Sequence, residues 1–247
     1  MNTSADASMR LDKLLSMLAL GSRSQVREII KAGRVSVNSK PVISADHRVE
    51  KGDTVMLDGQ MLDARTMRHV MLNKPCGVLT AARDAKQPTV LDLLPPAFAA
   101  CGCMPVGRLD KDTEGLLLLT TDGALAHMLL SPRRHVWKCY QAEVEGMLQP
   151  KDGEAFAQGI ALSDFTALPA KLEILSVGAE RSTAKVWVRE GKFHQVRRMF
   201  AAREHPVTRL KRLSIGPLPL DEALAPGEYR ELTQEEIQSL LDAVSGE

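Results

Sequence analysis

The chain has 247 residues, 44% of them hydrophobic and 4% aromatic, with a formal net charge of +1. That apolar share is enough for a packed core, and no run reaches the roughly 18 apolar residues that a membrane-spanning helix needs. The near-neutral total hides a split. Residues 10–40 carry seven Lys/Arg against Asp12 and Glu28, residues 181–212 carry ten against Glu190 and Glu204, and residues 221–247 carry eight Asp/Glu against Arg230. Two basic blocks and an acidic tail fit a protein with localised contacts to a polyanion.

Residues 1–8 are small and polar, with no apolar signal core, so a cytoplasmic location is expected. Leu11, Leu14, Leu15 and Leu18 recur at helical spacing, with Gly21 as a stop. Ser22 and Gln25 form a capping-box pattern for a second helix over 24–32, ended by Gly33. Val26, Ile29 and Ile30 make its apolar side, and Arg23, Arg27 and Lys31 step by four into a basic stripe. Short strands are expected around 35–37, 41–43 and 54–57. Residues 59–68 show no period and read as a linker, which divides the chain into 9–58, 59–68 and 69–247.

The second part opens with a strand at 69–75, ended by Pro75. The stretch 104–115 holds Asp110, Asp112, Glu114, Gly107 and Gly115, and runs into the apolar strand 116–119. A carboxylate beside glycines that permit close backbone approach suits a reactive centre, and an ordinary charged loop fits the same spacing. Thr121 or Asp122 caps a helix over 124–130, which Ser131-Pro132 breaks. Arg133, Arg134, His135 and Lys138 cluster ahead of a strand in which Tyr140, Ala142 and Val144 alternate. Then follow a helix at 151–158, strands at 172–177 and 183–188, a helix at 193–203 and a strand at 209–215. Without a regular βαβ alternation the expected class is α+β, with a mixed, mainly antiparallel sheet flanked by helices. Cys76, Cys101, Cys103 and Cys139 lack a second closely spaced pair, so reduced thiols are expected rather than a metal site. No GxGxxG, GxxxxGK, HExxH or GxSxG occurs.

Gly107-Arg108-Leu109-Asp110, followed by Thr113, Gly115 and Leu116, resembles the central motif of the pseudouridine synthases, in the branch typified by the small-subunit ribosomal enzyme. Lys74-Pro75-Cys76-Gly77, Tyr140 and the segment Gly191-Lys192-Phe193-His194-Gln195-Val196-Arg197-Arg198-Met199 resemble further motifs of that family, in the same order. Arg10-Leu11-Asp12-Lys13, Ser22-Arg23-Ser24 and Gly33-Arg34-Val35-Ser36-Val37-Asn38 resemble the RNA-binding module of a small-subunit ribosomal protein.

The resemblance implies isomerisation of a ribosomal RNA uridine to pseudouridine, without a cofactor. It implies Asp110 as the catalytic carboxylate, Tyr140 as the platform for the base, and Arg197 as the cation paired with Asp110. Arg198 and the histidines inherit no catalytic role. RNA contacts are expected from Arg10, Lys13, Arg23, Arg27, Lys31, Arg34, Arg108 and Lys138. The expected partner is ribosomal RNA, as such or in a partly assembled subunit, with the protein a monomer. Met71-Leu72-Asn73-Lys74-Pro75 and Lys211-Arg212-Leu213-Ser214-Ile215-Gly216 look more like the small-subunit member. Alternatives are action on large-subunit RNA, an RNA N-glycosidase using Asp112 or Glu114 as a second carboxylate, and a non-catalytic ribosome-assembly protein.

Overall fold

The computed structural model describes residues 8–245, and the expectation about the chain's polar start falls almost wholly outside them. The described residues form two compact units. One is drawn from residues 8–68 and 94–104, the other from 69–93 and 105–245.

The first unit contains β1 (Met9–Arg10), α1 (Leu11–Met17), α2 (Arg23–Lys31), β2 (Val35–Val37), β3 (Lys40–Pro41), β4 (Arg48–Val49), β5 (Val55–Leu57), β6 (Gln60–Met61) and α3 (Pro96–Ala100). Both halves of the capping box are made: Ser22 Oγ accepts from the Gln25 amide, and Gln25 Oε1 accepts from the Ser22 amide at 2.8 Å. The apolar stripes of α1 and α2 meet Val35, Val37 and Val55 in one buried cluster. The sheet order is β3-β2-β5-β6, and β1 pairs with β4. Two features depart from the sequence reading. Residues 60–61, read as linker, form a strand, because Asp58 and Gly59 both take positive φ and close a two-residue hairpin between Leu57 and Gln60. Residues 94–104, assigned by sequence to the second part, pack within this unit.

The second unit contains β7 (His69–Lys74), then β8 (Met104–Pro105) leading into β9 (Thr113–Thr120). There follow α4 (Gly123–Leu130), β10 (Lys138–Glu145), α5 (Pro150–Gln158), β11 (Lys171–Val177), β12 (Arg181–Val188), α6 (Gln195–Ala201), β13 (Val207–Ile215), β14 (Leu218–Pro219), β15 (Tyr229–Glu231) and α7 (Gln234–Ser245). The sheet runs β11-β12-β10-β13-β9-β7-β15, with β14 beside β13. Every pairing along this path is antiparallel except β13 with β9, so the class is α+β with a mixed, mainly antiparallel sheet. The leucines of β9 are buried on both faces, which accounts for their unbroken run. Leu116 and Leu118 pack with Leu125 and Leu129 of α4 and Leu240 and Val244 of α7. Phe156 of α5 and Phe200 of α6 meet at 4.9 Å between ring centroids.

The parallel junction places the site. Gly115 of β9 lies opposite Arg212 of β13, with φ +97°. A Cβ there would stand 2.3 Å from the Arg212 carbonyl oxygen, so only glycine allows this approach. The loop ahead of β9 is thereby set beside β13, whose other neighbour, β10, carries Tyr140.

Candidate active site

Residues 107–112 form a loop held from several sides. The Thr80 hydroxyl donates to the Leu109 carbonyl at 2.7 Å, and the Leu109 amide donates back to it at 3.2 Å. The Gly77 amide donates to Lys111 O, and the Thr113 amide to Asp110 O. Beneath the loop lies Lys74, fully buried at 0% exposure. Its Nζ donates to the carbonyls of Pro75, Lys111 and Thr113 at 3.0, 3.2 and 3.0 Å. Three carbonyl acceptors satisfy an ammonium that burial pushes below the ordinary lysine range. Sequence reading took Lys74 only as part of a turn motif.

The loop forms one wall of a cleft of about 420 Å³, open side included. Asp110 and Thr113 line it, with Arg108 at its edge. Tyr140 comes from β10 and Leu210 from β13, and Val188, residues 190–192 and residues 194–197 complete the lining. Tyr140 is 8% exposed and sits at a bulge in the β10–β13 pairing. Its hydroxyl is 3.5 Å from Nη1 of Arg212, a guanidinium that is itself 3% exposed and bonded to Leu116 O at 2.7 Å. The structure therefore brings together Asp110, Tyr140 and Arg197, together with Arg108.

It does not pair Asp110 with Arg197. Arg197 Nη2 meets Asp112 Oδ2 at 3.0 Å and the Asp112 carbonyl at 3.2 Å, while Nη1 donates to Val207 O at 3.1 Å. Asp110 and Asp112 lie two residues apart on a tight loop, and α6 reaches the second. Arg197 thus ties the loop to the end of β13. The group beside Asp110 is His194, with Nε2 3.5 Å from Oδ1. Sequence reading set His194 aside, and the helix it was to begin near 193 starts at Gln195 because His194 takes a left-handed conformation, φ 49°.

The expected RNA contacts divide. Lys13, Arg23 and Lys31 are exposed, as is Arg27, whose Nε lies 3.8 Å from Asp12. Arg10 is bound to Asp12, and Arg34 to Asp58. Lys138 is turned inward: its Nζ donates to Val136 O at 3.1 Å, and burial, with repulsion from Arg212, lowers its pKa to about 8. Arg198, assigned by sequence to solvent or phosphate, pairs with Asp164 and lies over the Phe165 ring. Among the described residues no group of three or more His, Cys, Asp or Glu is arranged to hold a metal ion, and no helix is long and apolar enough to cross a membrane.

Comparison with known proteins identifies the family. Residues 9–55 match the S4 domain. An RNA pseudouridine synthase of Bacillus subtilis named YtzG is 45% identical over 94% of this chain and 98% of its own length. Ribosomal small subunit pseudouridine synthase A of Vibrio parahaemolyticus is 40% identical over 94% of this chain and 99% of its own. The Escherichia coli K12 protein of the same name is 39% identical over 94% and 100%. A crystal structure of a pseudouridylate synthase superposes with a TM-score of 0.66 at 36% identity, covering 94% of this chain and 100% of that one. With residues 68–202 matching the RNA pseudouridylate synthase family, the chain belongs to that family and is an RNA pseudouridine synthase carrying an S4 domain.

Proposed function

We propose that this enzyme converts one uridine of small-subunit ribosomal RNA to pseudouridine, in the cytoplasm, as a monomer acting on that RNA as such or in a partly assembled subunit. The observation that carries the site assignment is the meeting of Asp110 and Tyr140 in one cleft whose wall Arg197 braces. The small-subunit assignment is supported by the names of relatives that are 39–40% identical along 94% of the chain. Residues 9–58 serve as the RNA-binding module and 69–247 as the catalytic part. The intervening 59–68 begins with a strand added to the module's sheet.

The reaction breaks the N1–C1′ bond of the uridine, turns the base, and joins C5 to C1′. C5 loses a proton and N1 ends with one, so atoms and oxidation state are conserved. Asp110 is the carboxylate at the sugar. It meets the positive charge that gathers at C1′ when the base leaves, and a fixed charge in a cleft acts strongly there because little water competes. Tyr140 supplies a ring against the extruded uracil and a hydroxyl that relays the proton, releasing its own toward N1 as it takes up the one from C5. Arg197 acts by holding the loop through Asp112, and Arg108 at the cleft edge contacts phosphate.

The test is a comparison of pseudouridine positions in both ribosomal RNAs from a deletion strain and its parent, followed by treatment of the deletion-strain RNA with the purified chain. One site lost from the small-subunit RNA, and restored in vitro, is the expected result. A lost site in the large-subunit RNA would move the substrate. No lost site in either would overturn the ribosomal assignment.

A further inference from the structure

Phe193 is 71% exposed, and among the described residues it is the one exposed Phe, Tyr or Trp. In a chain with 4% aromatics such a ring is not surplus surface. It stacks on the His194 imidazole, with 3.9 Å between centroids and 18° between planes. His194 lines the cleft and approaches Asp110 at 3.5 Å, whereas Phe193 does not line the cleft. The pair therefore stands at the mouth, one ring inside and one outside.

The backbone fixes this presentation. His194 holds a left-handed conformation that an L residue keeps only when its surroundings over-determine it. The determinant is Gln195, 4% exposed. Its Oε1 accepts from the Lys192 amide at 3.1 Å, its own amide donates to Lys192 O at 3.1 Å, and its Nε2 donates to Glu190 Oε2 at 3.1 Å. Residues 190–195 thus form a pinned turn that aims Phe193 outward. Lys192 is paired with Glu190 at 3.5 Å and lies over the Phe165 ring, while Arg108 adds a cation to the cleft lining.

We propose that the outer face of Phe193 is a stacking platform for the base adjacent to the uridine drawn into the cleft, with Arg108 meeting a flanking phosphate. This rests on the reading of the cleft as the site of uridine isomerisation. Extruding one nucleotide strips its neighbour of a stacking partner. An aromatic ring already ordered at the mouth replaces that partner, and stacking tolerates any base while favouring purines by area. Phe193 then contributes to which uridine is chosen and not to the chemistry at Asp110.

The probe is a synthetic RNA fragment spanning the uridine mapped as above, with 2-aminopurine replacing one neighbour at a time. Wild-type protein is expected to quench the fluorescence of one neighbour on binding. Phe193→Ala abolishes that quench and weakens binding about 5- to 150-fold, the range found for loss of one base–aromatic stack. Its single-turnover rate at saturating protein stays within about twofold, and Phe193→Trp restores both quench and affinity. A quench that survives Phe193→Ala, or unchanged affinity with a fallen saturated rate, would overturn the platform and leave Phe193 as a support for His194. Failure of the wild type to convert the mapped uridine in the unlabelled fragment would instead strike the underlying reading of the cleft.

Discussion

Asp110 and Asp112 share a loop and a chemical type, and their surroundings separate them. Asp110 lines the cleft with a partly exposed side chain, while Asp112 points to Arg197 and is 64% exposed. Asp110→Asn keeps shape and removes charge, so turnover should fall by at least about 10²–10³-fold, the scale of losing one preorganised electrostatic group at a reacting centre, with RNA affinity retained. Asp112→Asn should keep activity within a few fold, since its carbonyl still binds Arg197 and an exposed ion pair contributes little. Pseudouridine release from transcript RNA measures both, and an inactive Asp112→Asn would revive a two-carboxylate reaction. Lys138 gives a stability prediction. Its folded pKa is about 8 and its ordinary value 10.5. Between those values the unfolded chain binds a proton that the folded chain does not, so stability rises with pH across that window, and below it the buried charge is a penalty. Lys138→Met should raise the unfolding temperature at pH 7 by about 2–4 °C, the shift produced by ~1 kcal/mol in a chain of this size. The gain should shrink by pH 10, and calorimetry at both pH values that finds a lower temperature for the variant would refute it. That Asp110 and Tyr140 would meet in one cleft was readable from motif residues. The partner of Arg197 was not, because spacing along a loop does not say which of two carboxylates turns toward a helix.

At the scale of elements, the strongest periodic signals were readable. The helices at 23–31, 123–130 and 150–158 and the strands at 171–177, 181–188 and 207–215 lie within about two residues of their expected places. What escaped was decided by single backbone conformations. The left-handed His194 delays α6, and the Asp58-Gly59 turn converts expected linker into strand. The grouping of 94–104 with the N-terminal unit depends on long-range packing that no local pattern encodes. The anchoring of the 107–112 loop also depends on distant contacts, since Lys74 at the end of β7 bonds to Lys111 and Thr113 across 37 and 39 residues. Lys74→Met fills the space but leaves three carbonyls without their donor. Unfolding free energy should fall by about 3 kcal/mol, the order expected for losing bonds to a buried charged donor. Hydrogen exchange at the amides of 107–113 should quicken, and turnover should drop with the loop's order. Unchanged exchange there would show that Thr80 and Arg197 suffice.

Over the whole molecule, the two basic blocks that look alike in sequence are used differently. In residues 181–212 the cations are largely committed internally: Arg197 to Asp112, Arg198 to Asp164, Arg203 to Asp152, and Arg209 to Glu114 and Glu143. Arg212 is buried. Sequence could not show this, because the acids that answer the block are scattered from 112 to 164. On α2, by contrast, Arg23, Arg27 and Lys31 are exposed on a helix whose other face is core, with Arg27 having an acidic neighbour, Asp12, at 3.8 Å. These three belong to one unit, and every residue lining the cleft belongs to the other. Phosphate contacts position RNA without reading it. Replacing all three by Ala should therefore weaken RNA binding and lower the salt slope by about 0.7–0.9 for each phosphate no longer neutralised, with the saturated single-turnover rate nearly unchanged. Arg197→Ala should do the reverse, costing little affinity and much of the chemical step, because it frees the loop that carries Asp110. Single-turnover rates against protein concentration at two salt levels separate the cases. If the triple variant lost its saturated rate while Arg197→Ala kept it, the module would be shaping the cleft and the loop would need no brace.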